Sequence, residues 1–226
     1  MTTQTFTPLV PPFLLAPPGV YRPQHDTRLL ARALNREFMN SGTRVLELGT
    51  GSGALALEAA RRGARVTAVD ISRRAVLTAR FNAMIARRRV TVRRGDLTGA
   101  VAGQSYDLVI SNPPYVPSPD AHPPRKGAAR AWDAGHDGRI LVDRICDAAP
   151  AVLRPTGALL VVHSGLCGVD ATLDRLAGAG MAAVVTDRAM VPFGPVLRSR
   201  LPWLRRTGLL GDEAEEELVV IRAEHA

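Results

Sequence analysis

Val45-Leu46-Glu47-Leu48-Gly49-Thr50-Gly51-Ser52-Gly53 runs from a short apolar stretch straight into three glycines spaced two residues apart. A strand, a glycine turn and a helix start in this order let backbone amides approach a nucleotide closely, and a helix N-terminus favours polar or anionic groups. The GxGxG spacing differs from the dinucleotide pattern GxGxxG and provides no clear pyrophosphate site. Glu47 repels phosphate but accepts from an ammonium. Many nucleotide-binding α/β turns look like this, so the meaning of the stretch rests on its surroundings.

Outward from these nine residues, short apolar runs alternate with helical periodicity. Strands are expected over 44–48, 65–69, 90–92, 106–111, 158–163, 182–186 and 217–222. Helices are expected over 54–62, 72–88 with Ser72 as N-cap, 139–153 and 169–179. Ahead of the glycine turn, a helix from Asp26 places Leu29, Leu30, Ala33, Leu34 and Phe38 on one side and Arg28, Arg32 and Arg36 on the other. Asp26 or Thr27 caps it in this reading. Alternating strand and helix predicts an α/β fold, a doubly wound and mostly parallel sheet covered on both faces. Residues 1–20 read as a proline-rich arm, residues 21–226 as one domain, and 112–138 as a long loop.

Composition narrows the function classes. At 226 residues the chain is one large domain or two small ones, and it can bury roughly 70% of its unfolded surface without a staple. It has no uninterrupted apolar run of about 18 residues, so no membrane span is expected. Residues 8–20 are apolar but hold five prolines and no basic flank, unlike a signal peptide. Cys146 and Cys167 have no metal-ligand spacing and fit buried thiols of a reducing cytoplasm. The net charge of +8 is uneven: residues 61–94, bounded by Arg61 and Arg94, hold eleven arginines against one acid, Asp70. Such a face attracts nucleic acid or a partner seated on it. Because 28 of the 29 basic residues are arginine, as in proteins coded by G+C-rich DNA, a solvated face is the plainer reading.

Three further features carry chemistry. Asp70 ends the second strand 21 residues after Gly49, where a carboxylate accepts from both hydroxyls of a ribose. Asp96, in Arg94-Gly95-Asp96-Leu97, can accept from an adenine amino group, though alone it is an ordinary turn aspartate. The decisive segment is Ser111-Asn112-Pro113-Pro114-Tyr115 at the end of the fourth strand. Its two prolines fix the backbone and free the preceding carbonyls from ladder pairing. The Asn112 side-chain oxygen and the Pro113 carbonyl can then both accept from one NH2 group, and Tyr115 offers a ring face for a planar amide or base. Asp133, His136 and Asp137 raise a weak suspicion of a metal, but their spacing lacks a third convincing ligand.

Together these residues resemble the class I S-adenosylmethionine-dependent methyltransferases of the HemK-like type, which methylate glutamine in peptide-chain release factors. The resemblance spans about residues 20–222. It includes Val20-Tyr21-Arg22-Pro23-Gln24-His25-Asp26-Thr27, similar to the family's VYxPxxDT, and residues 131–139, similar to its AWxGGxxGR. It implies a seven-stranded Rossmann-like sheet with an antiparallel last strand, S-adenosylmethionine as cofactor and S-adenosylhomocysteine as product. Carried onto this sequence, the cofactor contacts fall on Tyr21, Pro23, Thr27, Glu47, Gly49, Thr50, Gly51, Gly53, Asp70, Ile71, Asp96, Leu97 and Asn112. The catalytic part falls on Asn112, Pro113 and Tyr115, with Asn112 also holding the substrate. The partners implied are a protein substrate such as a release factor and a small activating subunit. The likeness is to the compact branch, without a separate N-terminal recruiting domain.

This sequence departs from the family pattern at His25, where an acid is usual, in the arginine excess, and in an insertion over about 188–214 that includes Val196, Leu197, Leu201, Trp203 and Leu204. The insertion reads as a lid, a partner surface or plain packing. Rival functions are N6-methylation of adenine in RNA or DNA, which the same Asn-Pro-Pro-Tyr serves, methylation of a small molecule, and a non-enzymatic cofactor-binding scaffold. The absence of a flipped-base pocket signature weighs against the first.

Overall fold

The computed structural model describes residues 14–226; residues 1–13 of the proline-rich arm lie outside the described residues. One sheet contains β1 (Arg44–Leu48), β2 (Arg65–Asp70), β3 (Val90–Arg94), β4 (Tyr106–Ser111), β5 (Leu153–Ser164), β6 (Met181–Pro192) and β7 (Glu215–His225), in the spatial order β3-β2-β1-β4-β5-β7-β6. The pairings among β1 to β5 are parallel, and β7 runs antiparallel to both β5 and β6. Helices α1 (His25–Leu34), α2 (Ala54–Arg61), α3 (Arg73–Ile85), α4 (Ile140–Ala148) and α5 (Val169–Gly178) alternate with the strands, and α6 (Pro195–Arg206) stands in the β6–β7 connection. The central strands are covered on both faces, which is why β1 and β4 read as nearly unbroken apolar runs.

The strand order reverses between β1 and β4. Connections that diverge from two neighbouring parallel strands open a crevice at their carboxyl ends. β1 ends at Leu48, just before the glycines, and β4 ends at Ser111, just before Asn112. Leu48 and Ser111 are register partners, and the Ser111 hydroxyl donates to the Leu48 carbonyl at 2.8 Å. Strand pairing therefore sets the two sequence motifs side by side.

Three elements differ from the sequence expectation. α1 starts at His25 with Gln24 as N-cap, so Asp26 and Thr27 are buried residues of its first turn rather than caps. It stops at Leu34, and Phe38 lies beyond a tight turn, 85% exposed, instead of on the core side. α4 stops at Ala148 rather than 153, because Pro150 has no amide hydrogen for a helix interior, and Leu153 already belongs to β5. β6 continues to Pro192, paired with β7 as far as Glu215. Residues 188–192 of the expected insertion are thus strand; the polar run Thr186-Asp187-Arg188, beside a register shift between Val185 and Asp187, hid the continuation.

Candidate active site

The glycine turn leaves β1 and is held by the neighbouring strand β2. The Gly49 and Thr50 amides donate to the Val69 carbonyl at 2.9 and 3.0 Å, which bends the chain back toward β2. Gly49 has φ +73°, a left-handed conformation that strains any side chain, and a Cβ there would meet open space. Gly53 serves packing: at φ +83° a Cβ would lie 3.1 Å from the Ala79 Cβ of α3. Buried Asn82 of α3 pins the turn, its Nδ2 donating at 2.8 Å to both the Ser52 and Leu15 carbonyls.

A cleft of about 390 Å³ opens at the crevice. Tyr21, Pro23, Thr27, Glu47, Gly49, Gly51, Asp70, Ile71, Asp96, Leu97, Asn112, Pro113 and Tyr115 all line it. Thr50 and Gly53 do not, contrary to the sequence expectation. Thr50 is buried behind Glu47, to which its hydroxyl donates, and Gly53 faces α3.

Four carboxyl groups line the cleft, and three of them, Glu47, Asp70 and Asp96, stand on the side of the glycine turn. Glu47 Oε2 accepts from the Thr50 hydroxyl and from the Ala56 amide at 3.1 Å, and no donor among the described residues reaches Oε1. Burial pushes this carboxyl up to about 8 against the opposing effect of those two bonds. Asp70 accepts from the Gly51 amide at 2.9 Å and the Ser72 amide at 2.8 Å, so it ties the glycine turn to the start of α3. Its pKa is raised by burial, with these amides and the charge of Arg130 pulling the other way. Asp96 is half exposed and accepts from Arg144 at 2.8 Å. An open glycine turn, an unpartnered carboxyl oxygen and two further carboxylates suit a ligand that carries an ammonium, vicinal hydroxyls and an amino group.

At the other wall, the Asn112 Nδ2 donates to the Thr27 hydroxyl at 3.3 Å, leaving Oδ1 as a free acceptor. The Tyr115 and Tyr21 hydroxyls donate to Asp26 Oδ2 at 3.0 and 2.6 Å. Burial, reinforced by the Asp26 carboxylate, raises both phenols above their usual range, so both keep their protons. Asp26 is therefore the polar anchor of the two rings. Glu216 lies close enough to raise both phenols further; burial pushes its own carboxyl up to about 7, and its Oε1 has no partner. In the sequence it is the middle of three consecutive glutamates, Glu215-Glu216-Glu217. The period-two alternation of β7, with Glu216 and Leu218 inward, was the signal that could have found it.

The suspected metal residues are engaged separately: Asp133 pairs with Arg200 at 2.6 Å, Asp137 accepts from the Arg139 amide at 3.0 Å, and His136 stacks on Trp203. Cys146 and Cys167 are both buried and unpaired. Of the eleven arginines over 61–94, Arg61 alone has a carboxylate partner among the described residues, Glu58. Several of the rest line a second groove with Arg44 at the amino ends of β1 to β3, the end of the sheet opposite the cleft.

A doubly wound sheet with a reversed last strand, and a glycine turn facing Asn-Pro-Pro-Tyr across the switch point, defines a class I methyltransferase. The model of the methyltransferase small domain matches residues 14–124. A relative from Methanocaldococcus jannaschii, assigned as a protein N5-glutamine methyltransferase, is 32% identical over 177 residues, covering 78% of this chain and 88% of that one. The release factor glutamine methyltransferase of Bordetella pertussis is 38% identical over 180 residues, 76% of this chain and 66% of that protein. Among solved structures, Mtq2 from the E. cuniculi Mtq2–Trm112 complex, described as responsible for methylating the termination factor eRF1, matches with TM-score 0.63 and 25% identity, covering 92% of this chain and 99% of that one. The chain belongs to the protein N5-glutamine methyltransferase family.

Proposed function

We propose that this protein transfers a methyl group from S-adenosylmethionine to the side-chain nitrogen of a glutamine in a protein, a peptide-chain release factor being the substrate. The observation that carries this reading is the free Oδ1 of Asn112, held in place by Thr27 beside the Pro113 carbonyl in the cleft. Asp70 would hold the ribose hydroxyls, Asp96 the adenine amino group, and Glu47 the ammonium; the open turn at Gly49 leaves room for the ligand's approach. When bound, the cofactor supplies an electrophilic methyl on a sulfonium.

An amide nitrogen is a poor nucleophile because its lone pair is delocalised. Asn112 Oδ1 and the Pro113 carbonyl accept its two N–H groups, fix the plane of the amide and favour pyramidalisation at nitrogen. Positioning is the larger part of the catalysis, and two oriented acceptors stabilise the positive charge that develops. Tyr115, tethered by Asp26, packs beside the acceptor. The surplus proton leaves to water afterwards, so no general base is required.

The reading places the enzyme in the cytoplasm with its substrate; no helix among the described residues is long and apolar enough to cross a membrane. A small activating subunit of the kind the Mtq2–Trm112 complex suggests belongs to the same reading. Incubating the protein with labelled cofactor and purified release factor, then mapping the label by peptide mass spectrometry, tests it. Label on the glutamine of the release factor's Gly-Gly-Gln loop is expected. Label entering naked RNA or DNA, with none in release factor, transfers the assignment to adenine methylation. For the cofactor, Asp70→Ala is expected to weaken binding about tenfold or more in calorimetry, since a charge-assisted hydrogen bond is worth roughly 1.5 to 3 kcal/mol.

A further inference from the structure

We propose that α6 is a brace for the wall of the cleft that receives the acceptor, and that Arg200 is its positioning residue; this rests on the glutamine reading for the identity of the acceptor alone. The wall is a folded-back loop whose limbs meet at Val116 and Trp132. The Val116 amide donates to the Trp132 carbonyl at 2.8 Å, and the Ala134 amide returns a bond to the Val116 carbonyl at 3.1 Å. Val116 and Trp132 both line the cleft just beyond Tyr115. One nitrogen of Arg200, Nη1, crosses both limbs from behind, donating to the Pro117 carbonyl at 2.8 Å and to Asp133 Oδ1 at 2.6 Å. Each contact falls one residue after a lining residue.

Two independent contacts from α6 and the residues flanking it reinforce the grip. The rings of Trp203 and His136 stack with centroids 6.5 Å apart, and a small apolar cluster of Phe193, Leu197, Leu204 and Leu210 packs against Val116. The Asp133 side chain is 7% exposed and the Arg200 side chain 19%. Asp133 is thus largely withdrawn from solvent, and a buried carboxylate without its partner pulls the loop open. Backbone bonds join the limbs to each other, including one from the Ser118 amide to the Gly135 carbonyl at 2.9 Å, and Arg200 ties that pair to α6. Holding the loop at one width fixes the space left for an incoming peptide beside Tyr115, and so selects a slender acceptor segment.

The test uses Arg200→Gln and Arg200→Lys in the full chain. Because both bonds come from one nitrogen, an ammonium can remake them, whereas a glutamine amide is shorter and brings no charge to the buried carboxylate. For Arg200→Gln, the KM for release factor is expected to rise at least tenfold, with kcat within threefold of wild type and cofactor affinity unchanged in calorimetry. Arg200→Lys is expected to recover most of the loss. Hydrogen exchange at the Val116 and Ala134 amides is expected to accelerate at least tenfold in Arg200→Gln, while amides of β1 and β4 keep their wild-type protection. An unchanged KM with wild-type exchange overturns the brace, as does a parallel collapse of KM, kcat and cofactor binding that lysine fails to rescue. If wild type transfers no methyl to release factor, the acceptor assignment falls, and the exchange comparison still decides whether α6 braces the wall.

Discussion

At Glu47, burial holds a proton up to about pH 8 that a solvated carboxyl releases near 4.5. Between those values the folded protein binds more protons than the unfolded chain, so stability falls as pH rises through that window. Glu216, held at about 7, acts in the same direction. Replacing Glu47 by Gln keeps an acceptor for Thr50 and Ala56 and removes the titration. The midpoint of thermal unfolding of Glu47→Gln is expected to match wild type near pH 5 and to exceed it at pH 8, on the order of 5 °C. Identical curves at both pH values would show that Glu47 ionises freely in the fold. Asn112 belongs to the same scale. Asn112→Ala removes one oriented acceptor, so turnover is expected to fall by the equivalent of roughly 2.7 to 4 kcal/mol with cofactor affinity nearly intact. Single-turnover kinetics beside calorimetry separates the two, and a wild-type rate would make the segment structural.

Among the elements, the tightest approach near the site is between the residues leading into α4 and the Asn-Pro-Pro-Tyr segment. Gly138 has φ +72°, and a Cβ there would lie 2.2 Å from the Tyr115 carbonyl oxygen. Nothing flexible can yield at that contact. Gly138→Ala is therefore expected to cost on the order of 3 kcal/mol of stability or more, through backbone strain and overpacking together. Urea unfolding measures it, and a loss under about 1 kcal/mol would mean that the two segments separate easily. α3 shows the same dependence on neighbours: Asn82 holds the glycine turn only because β2 and β3 carry the helix to it.

For the whole molecule, the charge of +8 and the arginines over 61–94 bear on association rather than on chemistry. The groove they help to line sits at the amino ends of β1 to β3, while the cleft opens at the carboxyl ends. A phosphate backbone held there would not bring a base to Asn112. The kcat/KM for release factor is accordingly expected to fall only modestly between 50 and 200 mM salt, values at which a protein making many phosphate contacts loses roughly 10³ to 10⁵ in affinity. A steep fall, with a logarithmic slope of several, would place an essential polyanion in the catalytic complex.

The sequence by itself determined the alternation of strands and helices, the glycine turn, and the pairing of Asp70 with Asn112 as candidate site residues. These are local signals: apolar periodicity, glycine and proline each act on their own few residues of backbone. It also carried the family resemblance that the relatives support. Only the tertiary structure made Asp26 an anchor for two tyrosines, turned Glu216 inward, sent Thr50 behind Glu47 and joined Arg200 to Asp133. Each of those roles depends on partners up to 89 residues away in the chain or on burial that one residue's neighbours cannot report. A carboxyl group reads as a cap, a solvated charge or an anchor according to what the rest of the fold sets against it.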